Sequence, residues 1–286
     1  MKVSMWFAII GVVLVAGCAG RMPMRPGSAE TSSPATIPLR PLVDGLFTVD
    51  VQVGGETQRF LVDTGAGITV VTPEVARAAG CTPFGRLTGF RSAGERQDGP
   101  RCTSVRMTLG AIEVSPEAGV IDLAALGLQG LGGILSLQTL EGHALTLDLA
   151  AHRLTIESSR SLAERIAGMQ EVSVRPGRQA GGAALDYFVE VETQTGNLWL
   201  LLDSGNTQPV LLSPHALQQL GTDIPATDVR PVSLFVPGLG PIVVNATQSE
   251  RIYDGLLNAA FMTARTITFD LPNQRVWVAD TNAGSQ

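Results

Sequence analysis

Two short acidic motifs carry the residue types that can move protons in this chain: Asp63-Thr64-Gly65 and Asp203-Ser204-Gly205. Each follows large apolar residues, Phe60-Leu61-Val62 in one case and Trp199-Leu200-Leu201-Leu202 in the other, so each carboxyl is carried to a poorly hydrated place. Two carboxyls brought close together there cannot both ionise cheaply. They share a proton, and one serves as base while the other is still an acid. Such a pair can take a proton from a water held between them and give one to a peptide carbonyl oxygen. The tetrahedral intermediate then forms without a covalent adduct, and no metal, cofactor, Ser or Cys nucleophile is required. Thr64 and Ser204 offer hydroxyls that can brace the two loops across an interface. Gly65 and Gly205, lacking Cβ, let backbone N–H groups approach the carboxylates. One such triplet alone is more simply a surface turn.

The elements that must position these residues come as a repeat. Phe47–Val53 alternates apolar and polar residues, turns at Gly54-Gly55, and leads through Arg59–Val62 into Asp63. Tyr187–Thr193 alternates in the same way, turns at 194–197, and leads through Trp199–Leu202 into Asp203. The offset is 140 from Phe47 to Tyr187 and again from Asp63 to Asp203. After each motif the spacing predicts a short helix. Thr72-Pro73 opens the first and Gly80 ends it; Ser213-Pro214 opens the second and Gly221 ends it. Each half closes on a matched block: Gly133-Ile134-Leu135 with Gly255-Leu256-Leu257, Leu145–Leu149 with Ile267–Leu271, and Arg153–Ile156 with Arg275–Val278. These share an offset of 122.

The expected fold is therefore all-β: two duplicated barrel lobes, one short helix in each, related by a pseudo-twofold axis. The lobes are read as 43–158 and 183–280, joined by a connector over 159–182 with one helical stretch at 162–169, and followed by a tail over 281–286. Equivalent loops face each other across such an axis, which brings Asp63 opposite Asp203 within one chain. A monomer then suffices.

Outside the lobes the chain carries an address. Residues 1–18 read as an export signal: Lys2, an apolar run from Trp6 to Ala16, then Leu14-Val15-Ala16-Gly17-Cys18. That end resembles a bacterial lipobox, in which the Cys is lipidated and becomes the mature N-terminus; the alternative is an ordinary secretory signal. The resemblance implies anchoring through Cys18 to the cell envelope, and Ala19 beside it implies the periplasmic face of the outer membrane. Residues 19–42 read as a flexible tether. In an exported chain Cys81 and Cys102 either pair or stand as two separate buried thiols. A net charge of −6 with scattered Arg residues argues against nucleic-acid partners. His143, His152 and His215 are isolated and lack metal-ligand spacing. The Gly-rich stretch 127–133 leads into a strand rather than a βαβ unit, so it is no phosphate loop.

Phe60–Ala66, Gly133–Leu135, Leu200–Asn206 and Asp254–Leu257 together resemble the retropepsin-like aspartic peptidases, over nearly all of 43–280. The resemblance implies acid-protease chemistry on a peptide or protein substrate, bound extended beneath a flap hairpin. Two segments are candidate flaps, 88–97 and 233–240. The family usually places Gly after the two apolar residues of the closing block, where this chain has Ser136 and Asn258. Asn tolerates a left-handed backbone and Ser less so. That departure keeps a second function open, a catalytically silent peptide-binding or assembly lipoprotein on the same fold.

Overall fold

The computed structural model describes residues 33–281. The signal segment, Cys18 and most of the expected tether lie outside the described residues. So does the tail beyond Thr281.

The repeat appears as two lobe sheets and one sheet shared between them. In the first lobe Phe47–Val53 pairs antiparallel with Glu56–Val62, and Gly133–Leu135 runs parallel to that second strand. In the second lobe Asp186–Thr193 and Gly196–Leu202 form the same hairpin, with Gly255–Leu257 alongside in the same sense. Large apolar side chains on these strands fill one continuous core that runs through both lobes, from Val49, Val51 and Phe60 to Val189, Val191 and Leu200.

The closing strands of the two halves meet. Ala144–Asp148 pairs antiparallel with Arg265–Asp270, with Thr146 opposite Thr268. These two residues are related by the same offset of 122, and their hydroxyls stand 2.8 Å apart. The pseudo-twofold axis thus passes through a Thr–Thr pair in a six-stranded sheet built from both halves.

Helix boundaries follow their caps. Thr72 accepts from Val75 N ahead of Pro73–Ala78, and Ser213 accepts from Ala216 N ahead of Pro214–Gln219. Gly80 and Gly221, at φ +72° and +63°, take the left-handed turn that ends each helix.

Two expectations need correction. Ala35–Pro38 is not tether: it pairs antiparallel with Arg153–Glu157 and buries Ile37, so the shared sheet gains an edge strand. The connector is likewise more than a linker. Its helix is Ser159–Ile166, capped by Ser158, and Gln170–Val172 adds to Arg275–Asp280 at the other edge of the shared sheet. Val174–Gly177 pairs with the first strand of the second lobe. These segments are short and carry few large apolar residues, and a partner strand supplies the hydrogen bonds their own sequence does not advertise.

The drop in offset from 140 to 122 also has a structural source. In the second lobe one strand, Gly240–Gln248, both closes the outer hairpin and runs beside Val210–Leu212. In the first lobe those two tasks fall to Arg96–Cys102 and Ala118–Val120. The hairpin of Met107–Leu109 with Ile112–Val114 is inserted between them. Cys81 and Cys102 form a disulfide that ties the segment after the first helix to the end of Arg96–Cys102.

Candidate active site

Each acidic loop is threaded through the other. Thr64 N donates to Ser204 Oγ at 3.0 Å, and Ser204 N donates to Thr64 Oγ1 at 3.0 Å. Thr64 Oγ1 donates onward to the carbonyl of Leu202 at 2.7 Å, and Ser204 Oγ to that of Val62 at 3.0 Å. Both hydroxyls are buried, so every donor and acceptor in this four-bond clasp is matched away from water. The symmetric exchange fixes the spacing of the two loops more firmly than packing alone.

The glycines then decide how close the carboxyls come. A Cβ on Gly65 would lie 2.6 Å from Asp203 Cγ, and a Cβ on Gly205 would run into the Asp63 carboxyl. Only glycine fits at either place. Gly65 N donates to Asp63 Oδ1 at 2.9 Å and Gly205 N to Asp203 Oδ1 at 3.0 Å. Each carboxyl thus lies against the opposite loop's glycine, and the two acids are close enough for each to shift the other's protonation. Two carboxyls so placed cannot both ionise cheaply, so they share a proton.

Equivalent in sequence, the two acids differ in environment. Burial raises the pKa of Asp63, but hydrogen bonds from Gly65 N, from Asp203 and from Gly205 N oppose the rise. Asp203 is held well above the usual carboxylate range, first by burial and then by the negative charge of Asp63. The pair therefore keeps one shared proton well above the pH at which a free Asp loses it, so one acid serves as base while the other still holds a proton.

Ser136 and Asn258 do not distort the loops around the pair. Ser136 sits at φ −95°, ψ 165° and Asn258 at φ −86°, ψ 178°, both extended, so no left-handed residue is needed at either place. Asn258 Oδ1 accepts from Phe261 N at 3.0 Å as a helix cap, and Nδ2 donates to the carbonyl of Gln208 at 2.7 Å. Ser136 Oγ stands 3.3 Å from Thr69 Oγ1, within hydrogen-bond reach. Both side chains thus make bonds that a glycine would lack.

A cleft of about 600 Å³ opens over the pair. Its walls are mainly apolar, among them Ile68, Val70, Leu87, Val120, Ile134 and Leu201. The hairpin of Phe84–Phe90 and Arg96–Cys102 covers it, reaching across to the second lobe. Ile252 N donates to the carbonyl of Ser92 at 2.9 Å, Arg251 donates to Ser92 Oγ at 3.3 Å, and Phe90 N donates to Gln179 Oε1 at 3.3 Å. Only the first of the two candidate flaps lies here. The second, formed by Arg230–Val236 and Gly240–Gln248, contributes nothing to the cleft lining; its tip rests on the connector, with Gly238 against the carbonyl of Glu171.

Asp186 also lines the cleft, buried, and the reading of the sequence passed over it. A signal was available: the offset of 140 places it on Leu46, an acid where the other copy has an apolar residue. Among the described residues no group of three or more His, Cys, Asp or Glu side chains has the arrangement to hold a metal ion. No helix among them is long and apolar enough to cross a membrane.

Comparison with known proteins agrees with this geometry at a coarse level. Residues 49–139 match the family model for aspartyl proteases. The matched stretch holds Asp63 and stops before Asp203, so the second acid enters through the internal repeat. No curated protein sequence matches the chain. Among solved structures, the crystal structure of basic 7S globulin from soybean is similar, with a TM-score of 0.57 at 10% identity over 86% of this chain and 95% of that one. At that identity the likeness is one of fold.

Proposed function

We propose that this chain is an aspartic endopeptidase of the retropepsin-like kind that carries both halves of its site, Asp63 and Asp203, in a single polypeptide. The observation that supports this most is the placement of two acids, each against the other loop's glycine, with their loops clasped by reciprocal hydrogen bonds of Thr64 and Ser204. The charged acid of the pair takes a proton from a water lying over it. The protonated one gives its proton to the carbonyl oxygen of the scissile bond, and the two reverse roles as the intermediate collapses. The apolar cleft under the hairpin excludes bulk water and strengthens these interactions. An extended peptide would lie along the exposed edge of the hairpin as an added strand.

The lipobox-like end at Cys18 supports a further part of the proposal, that the site works at a membrane surface outside the cytoplasm, tethered by lipid. Incubating the full-length chain with casein or a peptide library tests the chemistry. Cleavage is expected, blocked by a statine-type analogue and abolished by Asp63→Asn or Asp203→Asn. Cleavage that survives either substitution would refute the mechanism.

A further inference from the structure

The chemistry of the Asp pair leaves a third carboxyl in the cleft without a task. Asp186 begins the strand Asp186–Thr193, is 3% exposed, and lines the same cleft as Asp63 and Asp203. Its Oδ1 is buried and has no hydrogen-bond partner. Gly67, at φ +65°, faces it so closely that a Cβ there would stand 3.2 Å from that oxygen. Leu185 N donates to the carbonyl of Gly67 at 2.7 Å, so the main chain fixes where the carboxyl sits.

Among the described residues no cation neutralises it by contact. Arg178 is engaged elsewhere, donating to Glu141 Oε1 at 2.5 Å and to the carbonyl of Ala184 at 3.3 Å. Its charge acts on Asp186 through space only. Burial and the charge of Asp63 outweigh it and push Asp186 up to about 7.

The charged part of the cleft lining is mostly acidic: Asp63, Asp98, Asp122, Asp186 and Asp203 line it, with Arg91 as the one basic lining residue among those described. Asp98 accepts from Thr88 at 2.5 Å and pairs with Arg96 at 2.9 Å, and Asp122 caps Ala124 N at 3.0 Å. With the Asp63–Asp203 pair occupied by each other, Asp186 is the lining acid whose charge has no contact. A buried charge without a partner is costly, and a cation brought by the ligand removes that cost, whereas an anion or an apolar group does not. Tyr253 also lines the cleft, near enough that Asp186 adds to the burial that raises its pKa, and its ring stands edge-on to Phe188 with centroids 4.9 Å apart. An acid in a cleft that also holds an aromatic side chain suits an ammonium or guanidinium on an aliphatic stem.

We propose that Asp186 is a specificity-determining residue, the floor of a subsite that receives a basic side chain, lysine or arginine, of the peptide bound in this cleft. The proposal rests on the peptidase reading above. The counterpart position in the first lobe is Leu46, so the preference applies on one side of the scissile bond only.

The test uses the full-length chain and peptides that differ only in lysine or its neutral isostere norleucine, placed in turn at about three positions on each side of the scissile bond. Reduced-amide versions of the same peptides, which cannot be cut, measure binding alone. At one position lysine is expected to bind and be cleaved about ten- to a hundredfold better than norleucine. Asp186→Asn should erase that preference by weakening the lysine peptide while leaving the norleucine peptide within about twofold. Asp186→Leu, matching Leu46, provides a second variant that should behave alike. Equal treatment of lysine and norleucine at every position would overturn the proposal, as would a variant that weakens both peptides alike. Cleavage with no lysine preference would sink the subsite and leave the peptidase standing. Asp186-dependent lysine binding without cleavage would keep the subsite and sink the peptidase.

Discussion

The two outer hairpins occupy equivalent places in the two lobes, yet only one can act as a flap. Along Arg230–Val236 every second residue is buried, with Val232, Leu234 and Val236 turned into the core. Its tip is seated on the connector. Along Phe84–Phe90 no residue is buried, and Phe90 is 50% exposed. The first hairpin is held to the opposite lobe by a few hydrogen bonds to Ser92 and Phe90, which can open one at a time; the second would have to surrender part of the core. One duplicated element has become a wall in one copy and a cover in the other. The same divergence separates Asp186 from Leu46. The clasp of Thr64 and Ser204 at the axis has stayed symmetric.

The largest expected effect probes that divergence through Asp186. Its folded pKa is raised, to about 7, by burial and by Asp63, with Arg178 opposing. The native state therefore holds this proton more tightly than the unfolded chain does. This group's contribution to stability is fully present below about pH 4 and is lost as pH climbs to about 7. Full expression of the shift would amount to about 4 kcal/mol. Chemical denaturation across that range should show wild type losing stability relative to Asp186→Asn. Parallel curves would mean that the carboxyl is better solvated or paired than its surroundings indicate.

Next in size is the disulfide, which among the described residues belongs to the lobe with the covering hairpin. Replacing both Cys81 and Cys102 by Ser should cost about 3 kcal/mol in a denaturant titration. The first hairpin should also become the earliest region to exchange its amide protons, because Cys102 ends one of its strands. Unchanged exchange there would show that the bridge does not brace the hairpin.

A smaller effect separates the two hairpins directly. Replacing the tip 91–95 by a tight turn removes the contacts of Ser92 and should lower kcat/KM about a hundredfold with little change in Tm. Gly238→Val in the second hairpin should do the reverse. At φ +92° with the Glu171 carbonyl in the way, it should cost about 2 kcal/mol of stability and leave turnover per folded molecule within about twofold. If both changes act alike, the asymmetry between the hairpins is not functional.

Much of this was legible in the sequence because the duplication gave each signal twice. The strands entering Asp63 and Asp203, the capped helices at Thr72 and Ser213, and the closing blocks recur at fixed offsets, and the structure has them within a residue or two. Ala35–Pro38 was missed because its four residues include a single buried apolar side chain, Ile37, and the pairing that defines it comes from residues far along the chain. The fates of the two hairpins were also hidden. What fixes the second is contact with the connector, and no local pattern announces that. Asp186 stands just before an alternating run, and its burial depends on Gly67 and the cleft rather than on its neighbours in sequence. Ser136 and Asn258 stand where the resembled family has glycine, which suggests a special backbone; the extended conformations remove that requirement.

The central claim is that one chain assembles one site from both acids, and mixing two inactive variants tests it most directly. Asp63→Asn and Asp203→Asn are each expected to lose at least about a thousandfold in kcat/KM. Mixed in equal amounts, they should stay inactive, since each molecule holds a damaged pair of its own. Activity returning on mixing would mean that Asp63 of one chain works with Asp203 of another, and would contradict the account.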